Sequence, residues 1–117
     1  MTAALVAAGG LAGVMARYGI GRLTLHTDWL IWSTVGINIA GSFLLGLLVG
    51  SSWFTRDVRE GLGVGFLGGF TTFSTFSVQI VTEADAGKTG TAALYLAASV
   101  VGGIAAATAG YALARNA

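Results

Sequence analysis

Phe70, Phe73 and Phe76 alternate with Thr71, Thr72, Ser74, Thr75 and Ser77 in the middle of an apolar stretch. A phenyl ring has a positive edge and a negative face, so its edge attracts an anion and its face repels one. Phe73 and Phe76 are three residues apart and share a face if the backbone there is helical. Ser74 and Thr75, between them, add hydroxyl donors. Ring edges with hydroxyls suit a desolvated anion, although aromatic pairs at this spacing also serve as plain packing. Asn38 is the amide in the interior of another apolar run, flanked by Gly36, Ala40 and Gly41, so that a neighbour can come close. Its NH2 group can donate two hydrogen bonds to an anion, or bind an adjacent helix instead.

Arg17 lies well inside the first apolar run, beside Tyr18. A guanidinium there must snorkel to the interface or face a polar interior, as an anchor or as an attractor of anions. Tyr95 and Ser99, four apart near the C-terminal end, can share a helix face; each can also bond its own backbone. His26 stands alone in a connection, and Gln79 ends the hydroxyl-rich stretch without an evident partner. No nucleophile has a base in reach, and there is no His/Cys/carboxylate cluster and no phosphate loop. The residues argue against an enzyme.

The elements that must hold these side chains are membrane spans. Of 117 residues, 55% are hydrophobic and 9% charged, with 19 glycines and neither proline nor cysteine. That is too apolar for a soluble domain of this length, and one domain covering residues 1–117 is the most it supports. A net charge of +1 without a basic cluster argues against nucleic acid as a partner. Residues 1–14 have no basic n-region, which argues against a cleaved signal peptide. Apolar runs occupy residues 2–25, 30–54, 61–81 and 91–114, each near the 20 or so residues a helix needs to cross a bilayer. The five acids, Asp28, Asp57, Glu60, Glu83 and Asp85, fall in or beside the connections at 26–28, 55–60 and 82–90. Proton-coupled transport and cation conduction usually place a carboxylate in the pathway, and no span interior carries one.

The third run is the unusual one. Gly68-Gly69 followed by the hydroxyl string predicts a helix interrupted at mid-membrane depth, where glycine supplies the backbone freedom. Lipid cannot satisfy the freed backbone groups, so such an interruption must be buried in protein or line a wet cavity. Small residues also recur every four positions: Gly9 and Gly13, Gly46 and Gly50, Gly61, Gly65 and Gly69, and Gly102, Ala106 and Gly110. These stripes let helices approach closely, and four helices have too few faces to bury them all by themselves, which favours a dimer. Both termini and the second connection share one side, with Arg56, Arg59 and Arg115, against Arg22 and Lys88 on the other. A bias of three against two is a weak orientation signal, compatible with insertion both ways.

The motifs carrying these features resemble the Fluc (CrcB) family of small bacterial fluoride channels. The resemblance covers essentially the whole chain, through residues 9–18 (GGLAGVMARY), 36–43 (GINIAGSF) and above all 65–77 (GFLGGFTTFSTFS). It implies an all-α integral membrane fold with four transmembrane helices, the third broken, in an antiparallel, dual-topology dimer with two pores. A central structural Na⁺, not transported, would sit on the backbone carbonyls of Gly68 and Thr71. Asn38, Phe73 and Phe76 would map onto the fluoride pathway, with Ser74, Thr75, Tyr95 and Ser99 on its polar track and Arg17 in an electropositive vestibule. The partners implied are fluoride, the lipid bilayer of the bacterial cytoplasmic membrane, and a second copy or a related chain as a heterodimer. One departure stands out: family members commonly carry two hydroxyls four apart on the fourth helix, whereas Ser99 is followed by Gly103 and Ala107. Two other classes weigh against the channel. A proton-coupled small multidrug exporter has a similar size but needs a carboxylate in its first span, and a non-conducting assembly subunit leaves the Phe/hydroxyl string unexplained.

Overall fold

The computed structural model describes residues 1–117, and every regular element in it is helical. Helix α1 (Thr2–Thr24) turns through His26, whose φ of 64° reverses the chain, into α2 (Leu30–Gly50). A short α3 (Arg56–Glu60) runs into a π-helical segment (Gly61–Leu67), then α4 (Gly68–Phe70) and, past residues 71–73, α5 (Ser74–Asp85). Gly87, at φ 84°, turns the chain into α6 (Thr89–Arg115). Four stretches are long and apolar enough to cross a membrane: α1, α2, the composite Arg56–Asp85 and α6. Only 16 of the 117 residues are buried, so most of the surface is apolar side chain suited to lipid.

The spans end where local chemistry stops them, not where hydropathy does. The second was expected to reach residue 54, but α2 stops at Gly50. Arg59 folds back there and donates Nη1 to the Leu48 carbonyl and Nη2 to the Ser51 carbonyl, both at 2.7 Å. Those bonds add charged donors to helix-end carbonyls, that of Leu48 also accepting from the Ser51 hydroxyl at 3.1 Å. The third span begins at Arg56 instead of Gly61, because Thr55 caps it by accepting from the Val58 amide at 3.4 Å, with Asp57 in the first turn. Asp57 also accepts from the Thr2 hydroxyl, tying the start of α1 to α3.

The helices form two glycine-packed pairs. Helix α1 lies along the π-helical segment and α4, and α2 along α6. A Cβ on Gly65 would stand 2.6 Å from the Val6 carbonyl oxygen, and one on Gly69 the same distance from that of Gly10. Across the other pair, a Cβ on Gly50 would meet the Tyr111 carbonyl at 2.6 Å, and one on Gly110 would overlap that of Phe43. The small-residue stripes are therefore used within one chain. That corrects the expectation that they need a second copy, because the helices pair off and each stripe meets the backbone of its neighbour.

Candidate functional site

The third span leaves the helical path after Phe70. Thr71 is extended, at φ −85° and ψ 158°, and α5 resumes at Ser74. The glycines do not make this turn. Gly68 is helical at φ −62° and ψ −38°, with room for a Cβ 3.7 Å from the Gly63 carbonyl. Gly69 is small because α1 passes against it. The expectation that paired glycines supply the unusual backbone is corrected accordingly: the residue that departs is a threonine, whose extended conformation any residue can adopt.

Side chains from the neighbouring helices complete the freed backbone. Asn38, on α2, accepts from the Thr72 amide through Oδ1 and donates Nδ2 to the Thr72 carbonyl, both at 2.9 Å. Arg17, on α1, donates Nε to the Gly69 carbonyl at 3.1 Å. Thr72 Oγ1 accepts from the Thr75 amide at 3.2 Å, capping α5, and Thr71 Oγ1 donates to the Leu67 carbonyl at 2.9 Å. Asn38 thus makes the interhelical bond that the sequence left open. One of its two N–H groups is already engaged, so it retains one for an anion and not the two expected.

Two cavities meet at Thr72. One, of about 320 Å³, is lined by Asn38, Gly68, Thr71, Phe73, Phe76 and Ser99 among others. The other, of about 370 Å³, is lined by Arg17, Arg22, Ser33, Thr75 and Gln79 among others, and Thr72 borders both. In the first, the Phe73 and Phe76 rings stand 6.2 Å apart at 53°. Phe76 is buried, whereas Phe73 is 80% exposed, so the cavity is open on the side of Phe73. Ser99 Oγ is buried there without a partner, and Gln79 Oε1 is equally unpartnered beside the arginines. Buried polar atoms without partners are uncommon, and an ion or an ordered water is one kind of partner that satisfies them.

Of the residues singled out from sequence, Asn38, Phe73, Phe76, Ser99, Gly68 and Thr71 come together, while Arg17 and Thr75 line the second cavity. Ser74 is exposed and lines neither. Tyr95 is buried edge-on against Trp32, ring centroids 4.7 Å apart, and also lines neither. Sequence reasoning missed Thr72 and Ser42. Ser42, on α2, lines the first cavity, and its Oγ lies 3.6 Å from where a Cβ on Gly103 would stand. A hydroxyl from α2 therefore faces the position where α6 lacks its second one. The only advance sign of either residue was a hydroxyl near a motif, which does not say which hydroxyl points where.

The carbonyls of this turn bear on the ion expected at Gly68 and Thr71. A continuous helix would pair those two carbonyls with the amides of Thr72 and Thr75, and both amides are bonded elsewhere. Carbonyl oxygens lacking the helix's own donors are hard ligands of the kind that suit a hard cation. The residues present fit the group.

Comparison with known proteins agrees on the family. Residues 4–111 match the family model described as "CrcB-like protein, Camphor Resistance (CrcB)". The chain is a member of the CrcB family. A protein of Agrobacterium fabrum named fluoride-specific ion channel FluC is 45% identical over 121 residues, covering 97% of this chain and 95% of that protein. Proteins of the same name from Novosphingobium aromaticivorans and Pseudomonas fluorescens are 45% and 40% identical, each covering at least 89% of both chains. The CrcB family consists of fluoride ion channels, not enzymes, and the four apolar helices fit a multi-pass membrane protein.

Proposed function

We propose that this chain is the subunit of a fluoride-selective channel that lets fluoride leave the cell passively across the bacterial cytoplasmic membrane and so limits its toxicity. The observation that carries the reading is the cavity at residues 71–73, where two phenyl rings, an amide with a free N–H and the unpartnered Ser99 hydroxyl converge. Fluoride is small and accepts strong hydrogen bonds, so donors and ring edges can replace its hydration shell. Chloride, larger and a weaker acceptor, is left out. Cationic side chains alone would attract both anions, so Arg17 and Arg22 serve to gather anions and not to choose among them. Ser42 takes the place of the hydroxyl missing at Gly103.

The functional unit in this reading is an antiparallel, dual-topology dimer with two pores, of two copies or of this chain with a related one. Its support is the exposed Phe73 and the near balance of basic residues on the two sides. The third span acts as the family's broken helix. A structural Na⁺ rests on the Gly68 and Thr71 carbonyls and is not transported.

The test is fluoride efflux from liposomes holding the purified chain alone. Fluoride should leave rapidly and chloride should not. Comparable fluxes of the two would overturn selectivity, and no fluoride flux would mean that this chain needs a different partner. In cells expressing the chain, C-terminal tags should label from both faces of the membrane; labelling from one face only would remove dual topology.

A further inference from the structure

Closing the interruption into a continuous helix would change where two amides point. The Thr72 amide would pair with the Gly68 carbonyl, and the Thr75 amide with the Thr71 carbonyl. Instead, Asn38 Oδ1 accepts the first at 2.9 Å and Thr72 Oγ1 accepts the second at 3.2 Å. The neighbouring carbonyls are treated differently: Arg17 closes that of Gly69 and Asn38 Nδ2 closes that of Thr72. The two side-chain acceptors therefore divert the amides belonging to Gly68 and Thr71, the two carbonyls read above as sodium ligands.

We propose that Asn38 and Thr72 are positioning residues for the cation site: each captures an amide that would otherwise close onto a ligand carbonyl, and so keeps that carbonyl turned out for sodium. The inference rests on the sodium reading and adds which side chains build the site. The two states of Thr71 exclude one another through the backbone. Its ψ is 158° here and near −42° in an α-helix, so re-forming the helix swings the carbonyl well away from its present direction. An amide brought onto the same oxygen also points its positive end at the place where a cation would sit. Asn38 borders the cavity of the phenyl rings as well, so a single side chain ties the geometry of the anion path to that of the cation site.

Thr72→Val removes the hydroxyl and keeps the shape. The Thr75 amide then has only the Thr71 carbonyl to close on, and sodium must displace it. The sodium concentration giving half of the thermal stabilisation should rise by roughly three- to tenfold, the worth of one net amide hydrogen bond. In N-methylglucamine without sodium, the variant should melt no lower than the parent, because its helix has gained a bond. Thr72→Ser, which keeps the hydroxyl, should restore the parent's sodium dependence. Asn38→Leu should raise the sodium requirement in the same way through Gly68. An unchanged half-point in Thr72→Val, or a variant that melts lower with and without sodium alike, overturns the proposal and leaves Thr72 an ordinary cap.

A second readout separates this from failure of the sodium reading. With a ¹³C=¹⁸O label at the Thr71 carbonyl, the amide I band of Thr72→Val should move to lower frequency in sodium-free buffer, as the carbonyl acquires a donor. If the parent shows no sodium effect but the band moves, the diversion stands and the ion is not sodium. If the band stays in place, the diversion itself is wrong.

Discussion

Gly61–Leu67 and residues 71–73 lie within one apolar span, both depart from α-helical hydrogen bonding, and they do so in opposite ways. The first widens into a π-helix: the Gly68 amide reaches back to Gly63, five residues away, and the backbone remains satisfied within its own segment. Gly61 and Gly65 are there because α1 lies against them, through Leu5 and Val6, while Gly63 faces Leu45 and Leu48 of α2. The second opens altogether and is completed by side chains, those of Asn38 and Arg17 from other helices and the Thr72 hydroxyl of its own. An irregular segment that satisfies itself serves packing. One whose polar groups are met by side chains of other helices can be switched, tuned and reached by ions, and the two cavities that hold Asn38, the phenyl rings and Arg17 border the second.

That contrast predicts that changes at the opening act on flux and changes at the packed segment act on stability. The largest effect should come from Phe76→Ile, which keeps bulk but removes the ring's quadrupole. Fluoride efflux should fall by roughly a hundredfold, the scale on which losing one preorganised partner of a desolvated charge acts. Phe73→Ile should act likewise, and thermal stability should barely move in either. Normal efflux through both variants would make the rings packing and erase the distinction between the two stretches.

Next is Gly69→Ala, on the packed side of the boundary. Its Cβ would stand 2.6 Å from the Gly10 carbonyl and 3.1 Å from a Val14 methyl, so α1 must move. Overpacking of this kind costs about 1–3 kcal/mol, read as a lower melting temperature of the purified protein. Flux should fall only in proportion to the protein lost, with a further decrement if the Arg17 bond to the Gly69 carbonyl is strained as α1 shifts. A melting temperature equal to the parent's would mean that the α1 pairing is looser than the glycine stripe implies.

How much of this the sequence disclosed follows from what kind of information each feature needs. Four spans were legible because hydropathy over about 20 residues is a strong signal. Their ends were not, because the Arg59 bonds to Leu48 and Ser51 depend on a three-dimensional return that no window of residues records. The stretch carrying the opening was evident from its hydroxyls. Its detailed geometry was not: glycine is the usual suspect for an odd backbone, yet Thr71 is the extended residue and Gly68 is helical. Asn38 was legible as a polar group needing a partner, but Thr72 as that partner was not, since any of five hydroxyl residues in the string had equal standing. The stripes were plain in sequence and their use was misjudged, because spacing shows that a face is smooth and not which neighbour covers it.

The smallest effect, and the finest test of the boundary, is Gly68→Ala. Two adjacent glycines should behave differently although the sequence treats them as a pair. Gly68 has ordinary helical angles and space for a methyl group, with the Gly63 carbonyl at 3.7 Å as the only neighbour within contact range in the single chain. Alanine is a better helix former than glycine by up to about 1 kcal/mol in a helix interior, and less near an end. The variant should therefore melt at or slightly above the parent's temperature. Its flux and its sodium dependence should be unchanged, because the carbonyl proposed as a ligand belongs to the backbone and remains. If Gly68→Ala instead destabilises as strongly as Gly69→Ala, something outside the chain must come within methyl distance of Gly68. The obvious occupant would be the backbone of a second copy facing the same carbonyls in the proposed dimer, and a sodium requirement that rises together with the loss of stability would identify it.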